Sequence, residues 1–134
     1  MKISAKLRYT VRTLCEIGDT ADNPLSLSKI EKKQKISGKY LKQILQPLEK
    51  KGIIGSIRGK NGGYYLKRNL KNISLYEVVE CLNENTTIAP CLHNGLCDFE
   101  RKEYCGSHGK WNDLQMLINE YYKNTFIIDF KDEI

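Results

Sequence analysis

The sequence predicts a mostly α-helical chain carrying one small β-hairpin, and three observations predict it. Apolar residues recur at helical spacing over most of its length. Their period drops from 3.6 to 2 only around the glycine-rich run RGKNGG. Serines and glycines stand where helix caps belong. The 134 residues, 40% apolar and 28% charged, are an ordinary globular composition and suffice for one domain, or a compact domain with an extension.

Leu7, Val11, Leu14 and Gly18 mark a first amphipathic helix over 4–18, with Ser4 as N-cap, and DTADNP breaks it. Ser26 caps a short helix through Ile30 to about Gln34. After the polar turn KISG, Ser37 opens a further helix with Tyr40, Leu41, Ile44, Leu45 and Leu48 inward, ended by Gly52. Pro47 lies inside it, which predicts a kink or an early end. IIGSIRGKNGGYYL reads as two strands around a tight tip. Ser74 and Glu77 form a capping-box pattern ahead of Val78, Val79 and Leu82, a fourth helix. From about Ser107, Trp111, Leu114, Leu117/Ile118, Tyr121/Tyr122 and Thr125 mark a last helix, apolar over a wide face. The tail FIIDFKDEI fits no single pattern.

The net charge of +6 hides a split. Residues 1–72 carry 17 Lys+Arg against 5 Asp+Glu, and residues 73–134 carry 5 against 11. A basic half joined to an acidic half suggests nucleic acid at one end and a different task at the other. The order helix, helix, polar turn, helix, glycine-rich hairpin describes a winged helix-turn-helix. An α-helix fits the major groove, and residues near its N-terminus reach base edges: here Ser37, Lys39, Tyr40, Lys42 and Gln43. Lys bonds guanine O6 and N7, and Gln pairs bidentately with adenine. The hairpin tip offers Arg58, Lys60 and Asn61, and arginine on such a wing suits a narrow minor groove. Each residue also has a plainer role, as a solvated helix position, a core tyrosine or a simple turn. The combination with the charge split favours double-stranded DNA.

Three of the five cysteines and both histidines fall in CLHNGLCDFERKEYCGSHGKW, residues 91–111. The N-terminus shows no signal-peptide pattern, and no window nears the ~18 apolar residues of a membrane span, so the expected compartment is the cytoplasm. Thiols stay reduced there, and clustered cysteines suggest metal or redox chemistry rather than a structural disulfide. The spacing Cys91-x5-Cys97-x7-Cys105-x2-His108 lacks the close cysteine pair of a zinc knuckle. Iron–sulfur clusters accept wider spacing and a histidine ligand, while soft thiolates also suit zinc or Cu(I). Cys105 and His108 can face one side of a helix start, where the dipole favours a thiolate. His93 is the competing imidazole. Asp98, Glu100 and Glu103 are oxygen donors or plain solubilising charge. Cys15 and Cys81 read as buried, inert thiols, and Trp111 as core or interface. No phosphate loop, nucleophile elbow or paired carboxylate accompanies the cysteines, so an enzyme is not expected.

With these pieces in place the chain resembles the IscR/NsrR-type winged-helix regulators, bacterial transcription factors that bind an iron–sulfur cluster. The resemblance is carried by SAKLRYTVRTL, ISGKYLKQIL with LEKKGII, RGKNGGYYL, SLYEVVE and C-x5-C…C-x2-H-x2-W. It implies a winged helix-turn-helix DNA-binding domain at 1–72, then a cluster-binding loop at about 88–108 and a long C-terminal dimerisation helix within 73–134. It implies a homodimer on a partly palindromic operator, with no membrane and no small-molecule substrate, and Cys91, Cys97 and Cys105 as cluster ligands. His108 stands where the IscR-like branch, which carries a 2Fe–2S cluster, has its fourth ligand. The NsrR-like branch completes a 4Fe–4S site with an N-terminal aspartate. The matching residue here is Arg8, which cannot serve as an anionic ligand. The expected cofactor is therefore 2Fe–2S, with 4Fe–4S as the alternative. The chain departs from the pattern in its second cysteine gap, seven residues where five is usual, in Asn61 for a glycine, and in Lys42 for an acidic residue. A metal-free thiol redox regulator and a zinc-stabilised interaction domain are the competing readings.

Overall fold

The computed structural model describes residues 2–18, 23–92 and 105–131. Five helices and one hairpin are described: α1 (Ala5–Gly18), α2 (Leu27–Gln34), α3 (Gly38–Lys50), β1 (Ile54–Ile57), β2 (Gly63–Leu66), α4 (Leu75–Cys81) and α5 (Gly106–Asn124), with short 3-10 turns at Leu70–Asn72, Pro90–Leu92 and Ile127–Phe130. The mostly helical fold with a hairpin wing is therefore observed.

The predicted caps form because their chemistry is local. Ser4, Ser26, Ser37 and Ser74 each accept a hydrogen bond from the backbone N–H three residues on, at 3.0–3.3 Å. Glu77 does not complete its box. Its carboxylate pairs instead with the Arg68 guanidinium, which also holds the Asn72 carbonyl. An ionic partner with two donors outcompetes a single neutral N–H. Pro47 neither stops nor divides α3, which runs through it to Lys50. The missing N–H strands only the carbonyl of exposed Gln43, which water reaches, and the Pro47 carbonyl still accepts from Lys51 N at 3.1 Å.

A single apolar cluster joins Leu7, Val11, Leu14 and Ile17 of α1 to Leu41, Ile44, Leu45 and Leu48 of α3, Val78 and Val79 of α4, and Ile127 of the tail. α1 is the hub, packing against α2, α3, α4, β2 and the tail. Its buried Thr10 and Thr13 satisfy their hydroxyls on the Lys6 and Tyr9 carbonyls one turn back. The tail is part of this core. Ile127 is fully buried and donates to the Ile73 carbonyl at 2.9 Å, and Thr125 accepts from Leu75 N at 2.8 Å.

The strands pair antiparallel from Ile54↔Leu66 to Ile57↔Gly63. Leu25 adds a third, one-residue rung, exchanging two 2.9 Å hydrogen bonds with Tyr64. This bridge fastens the wing to the start of α2. No helix among the described residues is long and apolar enough to cross a membrane.

Candidate functional site

Two separate regions carry the predicted site residues. In the basic half, α2 ends at Lys35 in the left-handed conformation, its N–H still bonded to the Glu31 carbonyl. Two residues later Ser37 starts α3, so the helices are joined by a tight turn. Ser37, Lys39, Lys42 and Gln43 are exposed on α3. Tyr40 is not. It is half-buried against the core, with its ring edge-on to Tyr9 at 6.0 Å. The sequence offered Tyr40 as both an inward and a DNA-reading residue, and the structure packs its ring partly against the core.

Around Tyr9 lies a brace that the sequence reading missed. The Arg12 guanidinium sits 5.3 Å over the Tyr9 ring and donates through Nε to Gln34 Oε1 at 2.9 Å. Lys33 pairs with Glu16 at 3.1 Å. These contacts tie α2 to α1, so the face bearing α3 is held by side chains on three helices. At the wing, Arg58, Lys60 and Asn61 are all exposed at the tip. Positive φ falls on Gly59 and Gly63, and not on Asn61, so the expected tolerance of Asn61 for that conformation is not needed. Burial, then the Glu49 charge, pushes the Tyr64 phenol above its ordinary value, consistent with its place at the wing base.

The second region is the start of α5. Cys105 occupies its N-cap position, with Sγ 3.0 Å from Ser107 Oγ, and His108 N donates to the Cys105 carbonyl at 3.2 Å. Cys91 lies half-buried in a 3-10 turn, Pro90–Leu92, that packs against α5. Cys97, His93, Asp98, Glu100 and Glu103 lie outside the described residues. Among the described residues no three His, Cys, Asp or Glu side chains gather as a metal site. His108 nevertheless carries an informative atom: its Nδ1 is buried with no hydrogen-bond partner. A buried imidazole nitrogen without a partner is costly unless something else supplies one. By residue type, the two described thiols, the orphaned imidazole and Cys97 of the sequence are soft donors of the kind an iron–sulfur cluster takes.

The remaining cysteines behave differently. Cys81 is buried, and burial, followed by the Glu77 charge, pushes its thiol up. Cys15 is only partly buried, with Sγ 3.7 Å from the Ile127 carbonyl. Trp111 is 47% exposed, so it is not core. It shares with Leu114, Leu117 and Tyr121 an exposed apolar stripe that the described residues do not cover. The neighbouring stripe of α5, with Gln115 and Tyr122, is buried.

Residues 3–133 match the Rrf2 family, described as an iron-dependent transcriptional regulator. The HTH-type transcriptional regulator IscR of Vibrio cholerae is 32% identical over 125 residues, covering 92% of this chain and 71% of that one. IscR of Escherichia coli O1:K1 is 30% identical over 92% of this chain and 76% of its own. Among solved structures, CymR, the global cysteine regulator of B. subtilis, superposes with a TM-score of 0.79 at 25% identity over 96% of this chain and 95% of its own. IscR of T. potens gives 0.72 at 26% identity, over 96% of this chain and 85% of its own.

Proposed function

This chain belongs to the Rrf2 family of transcriptional regulators, and we propose that it is a homodimeric, cytoplasmic regulator whose binding to a partly palindromic operator is controlled by an iron–sulfur cluster. Cys91, Cys97, Cys105 and His108 would hold the cluster, with 2Fe–2S favoured by the histidine. The observation that carries this reading is the buried, partnerless Nδ1 of His108, one turn into the helix that Cys105 begins. The cluster's chemistry is soft thiolate and imidazole ligation with a redox-sensitive inorganic core.

The chain's own residues supply the rest. α3 presents Ser37, Lys39, Lys42 and Gln43 to a groove, and the wing presents Arg58, Lys60 and Asn61. The uncovered stripe Trp111, Leu114, Leu117 and Tyr121 of α5 is the surface on which a second copy packs. Cys91 and Cys105 lie on two elements in contact, so one centre holding both would tie the Pro90–Leu92 turn to the start of α5. Control of DNA affinity requires that ligation favour one arrangement of the two DNA-binding halves over the other.

A metal-free thiol regulator is the second reading. The overlay on CymR, named a global cysteine regulator, favours it. Anaerobic purification with a visible spectrum and iron, sulfide and zinc analysis separates the two. Matched iron and sulfide with a charge-transfer spectrum supports the cluster. A colourless protein that stays empty after reconstitution overturns it and leaves thiol or zinc chemistry.

A further inference from the structure

Three polar side chains are buried among the described residues, Thr10, Thr13 and Gln115, and Gln115 alone reaches off its own helix. Its Oε1 accepts from Ile88 N at 2.8 Å, and its Nε2 donates to the Thr86 carbonyl at 2.8 Å. Nε2 also lies 3.0 Å from Asn119 Oδ1, which the Thr86 hydroxyl reaches from the other side. In extended chain the C=O of one residue and the N–H of the residue two on point the same way. A primary amide offers one acceptor and two donors side by side. Gln115 therefore grips the 86–88 backbone as a neighbouring strand would, and fixes its register along α5.

What the grip holds is the approach to Cys91, three residues beyond Ile88. The same side chain stands seven residues, two helical turns, after His108 on α5, hence on the same face. The upstream end is fixed too. Glu84 accepts both contacts of the Ser4 hydroxyl, at 2.7 and 2.8 Å, and Ser4 caps α1, the hub of the DNA-binding half. The segment from Glu84 to Cys91 thus runs from the cap of α1, past the Gln115 grip, to a predicted ligand.

We propose that Gln115 is a positioning residue that sets where Cys91 stands relative to His108, and so whether the two donors reach one metal centre. The proposal rests on the reading of those residues as ligands. An apolar side chain of the same length would fill the space and keep α5 packed. It would offer nothing to hold Thr86 C=O and Ile88 N–H, so the segment could shift along the helix and carry Cys91 with it.

The test uses reduced, cluster-free, full-length protein titrated anaerobically with Co(II), whose thiolate charge-transfer and d–d bands report ligand number and geometry. Gln115→Met is expected to weaken Co(II) binding about 10- to 100-fold, the usual effect of removing an outer-shell support, and to change the d–d bands. Hydrogen exchange at the Ile88 amide should accelerate in the metal-free variant. Wild-type Co(II) affinity and spectrum in Gln115→Met overturn the proposal, provided Cys91→Ser and His108→Ala each weaken binding. If neither of those variants affects Co(II), the ligand reading itself fails. Should Gln115→Met not fold, Gln115→Glu keeps the acceptor for Ile88 N–H and loses the amide donors. Weakened binding in it supports the proposal, and unchanged binding overturns it.

Discussion

Gly63→Ala tests whether the wing is held in place by Leu25. Gly63 has φ +154°, and a Cβ added there would stand 2.4 Å from the Leu25 carbonyl oxygen and 2.5 Å from its carbon. The obstacle is backbone, so a side-chain rotation cannot relieve it. The Leu25 segment must separate from β2, breaking the two 2.9 Å bonds between Leu25 and Tyr64. At about 0.5–1.5 kcal/mol each, these represent about 1–3 kcal/mol, and a non-glycine residue at this φ adds about 1–3 kcal/mol. The expected loss of about 2–6 kcal/mol is a large part of the ~5–15 kcal/mol that stabilises a domain. Gly59→Ala is the control, because Gly59 has φ +112° with nothing within 4 Å of the added Cβ, so it bears the conformational cost alone. Urea melts measure stability, and titration of an operator selected from a random duplex pool measures binding. Gly63→Ala should lose more stability than Gly59→Ala and also lose DNA affinity, since the wing would be detached from α2. Equal urea midpoints for the two variants would refute the bridge as the wing's anchor.

Four further outcomes are expected. Arg58→Ala should weaken operator binding by about 1–3 kcal/mol if it makes a specific groove contact, and unchanged affinity removes it from the interface. Ile127→Ala should cost about 2–5 kcal/mol in a urea melt, because the side chain is fully buried; a loss below about 0.5 kcal/mol would be a surface value and would take the tail out of the core. Leu117→Glu should dissociate the proposed dimer in sedimentation, since a leucine buried on association contributes about 1.5–3 kcal/mol and a two-fold interface counts it twice; a dimer of wild-type affinity would move the interface off this stripe. Burial, above all, raises the Cys81 thiol and the Tyr64 and Tyr122 phenols in the folded chain. Their folded values exceed the unfolded ones, so this stability is fully present below the ordinary thiol value of 9.0 and is lost as pH rises through the folded values. Urea midpoints should fall across that alkaline window, with the onset blunted in Cys81→Ala; a flat profile refutes the assignment.

What the sequence made legible was local. Four serine caps, the hairpin and the helix order were readable because a cap spans only four residues and a helix face repeats every turn. Three features were not. The Leu25 rung joins residues 39 apart in sequence, and the tail reaches its place through Ile73, 54 residues upstream. No periodicity within either segment encodes its partner. Glu77 had the right local pattern for a reciprocal box and yields to Arg68, a charged competitor nine residues away. Tyr40 was ambiguous for a related reason. Its spacing suits both an inward and an outward position, and the partner that decides between them, Tyr9, lies on another helix.

The candidate site was legible as a set of residue types and not as an arrangement. Cysteine spacing marked Cys91, Cys97 and Cys105, and the family resemblance pointed to His108 over His93, while neither foretold which atom of His108 would be left without a partner. The last helix shows why. Its pattern reads as one wide apolar face, and a single chain would be expected to bury it. The fold splits that face: Trp111, Leu114, Leu117 and Tyr121 stay exposed, while Tyr122 is buried beside Gln115 on a stripe that also carries His108 and Asn119. A helix that spends its buried face on an amide grip and leaves four large apolar side chains in water is balanced only if another surface covers them. In the proposed dimer the polar stripe organises the segment that bears Cys91, and the apolar stripe is the surface a second copy would cover. One helix would then connect the geometry of the candidate ligands to the spacing of two DNA-binding halves.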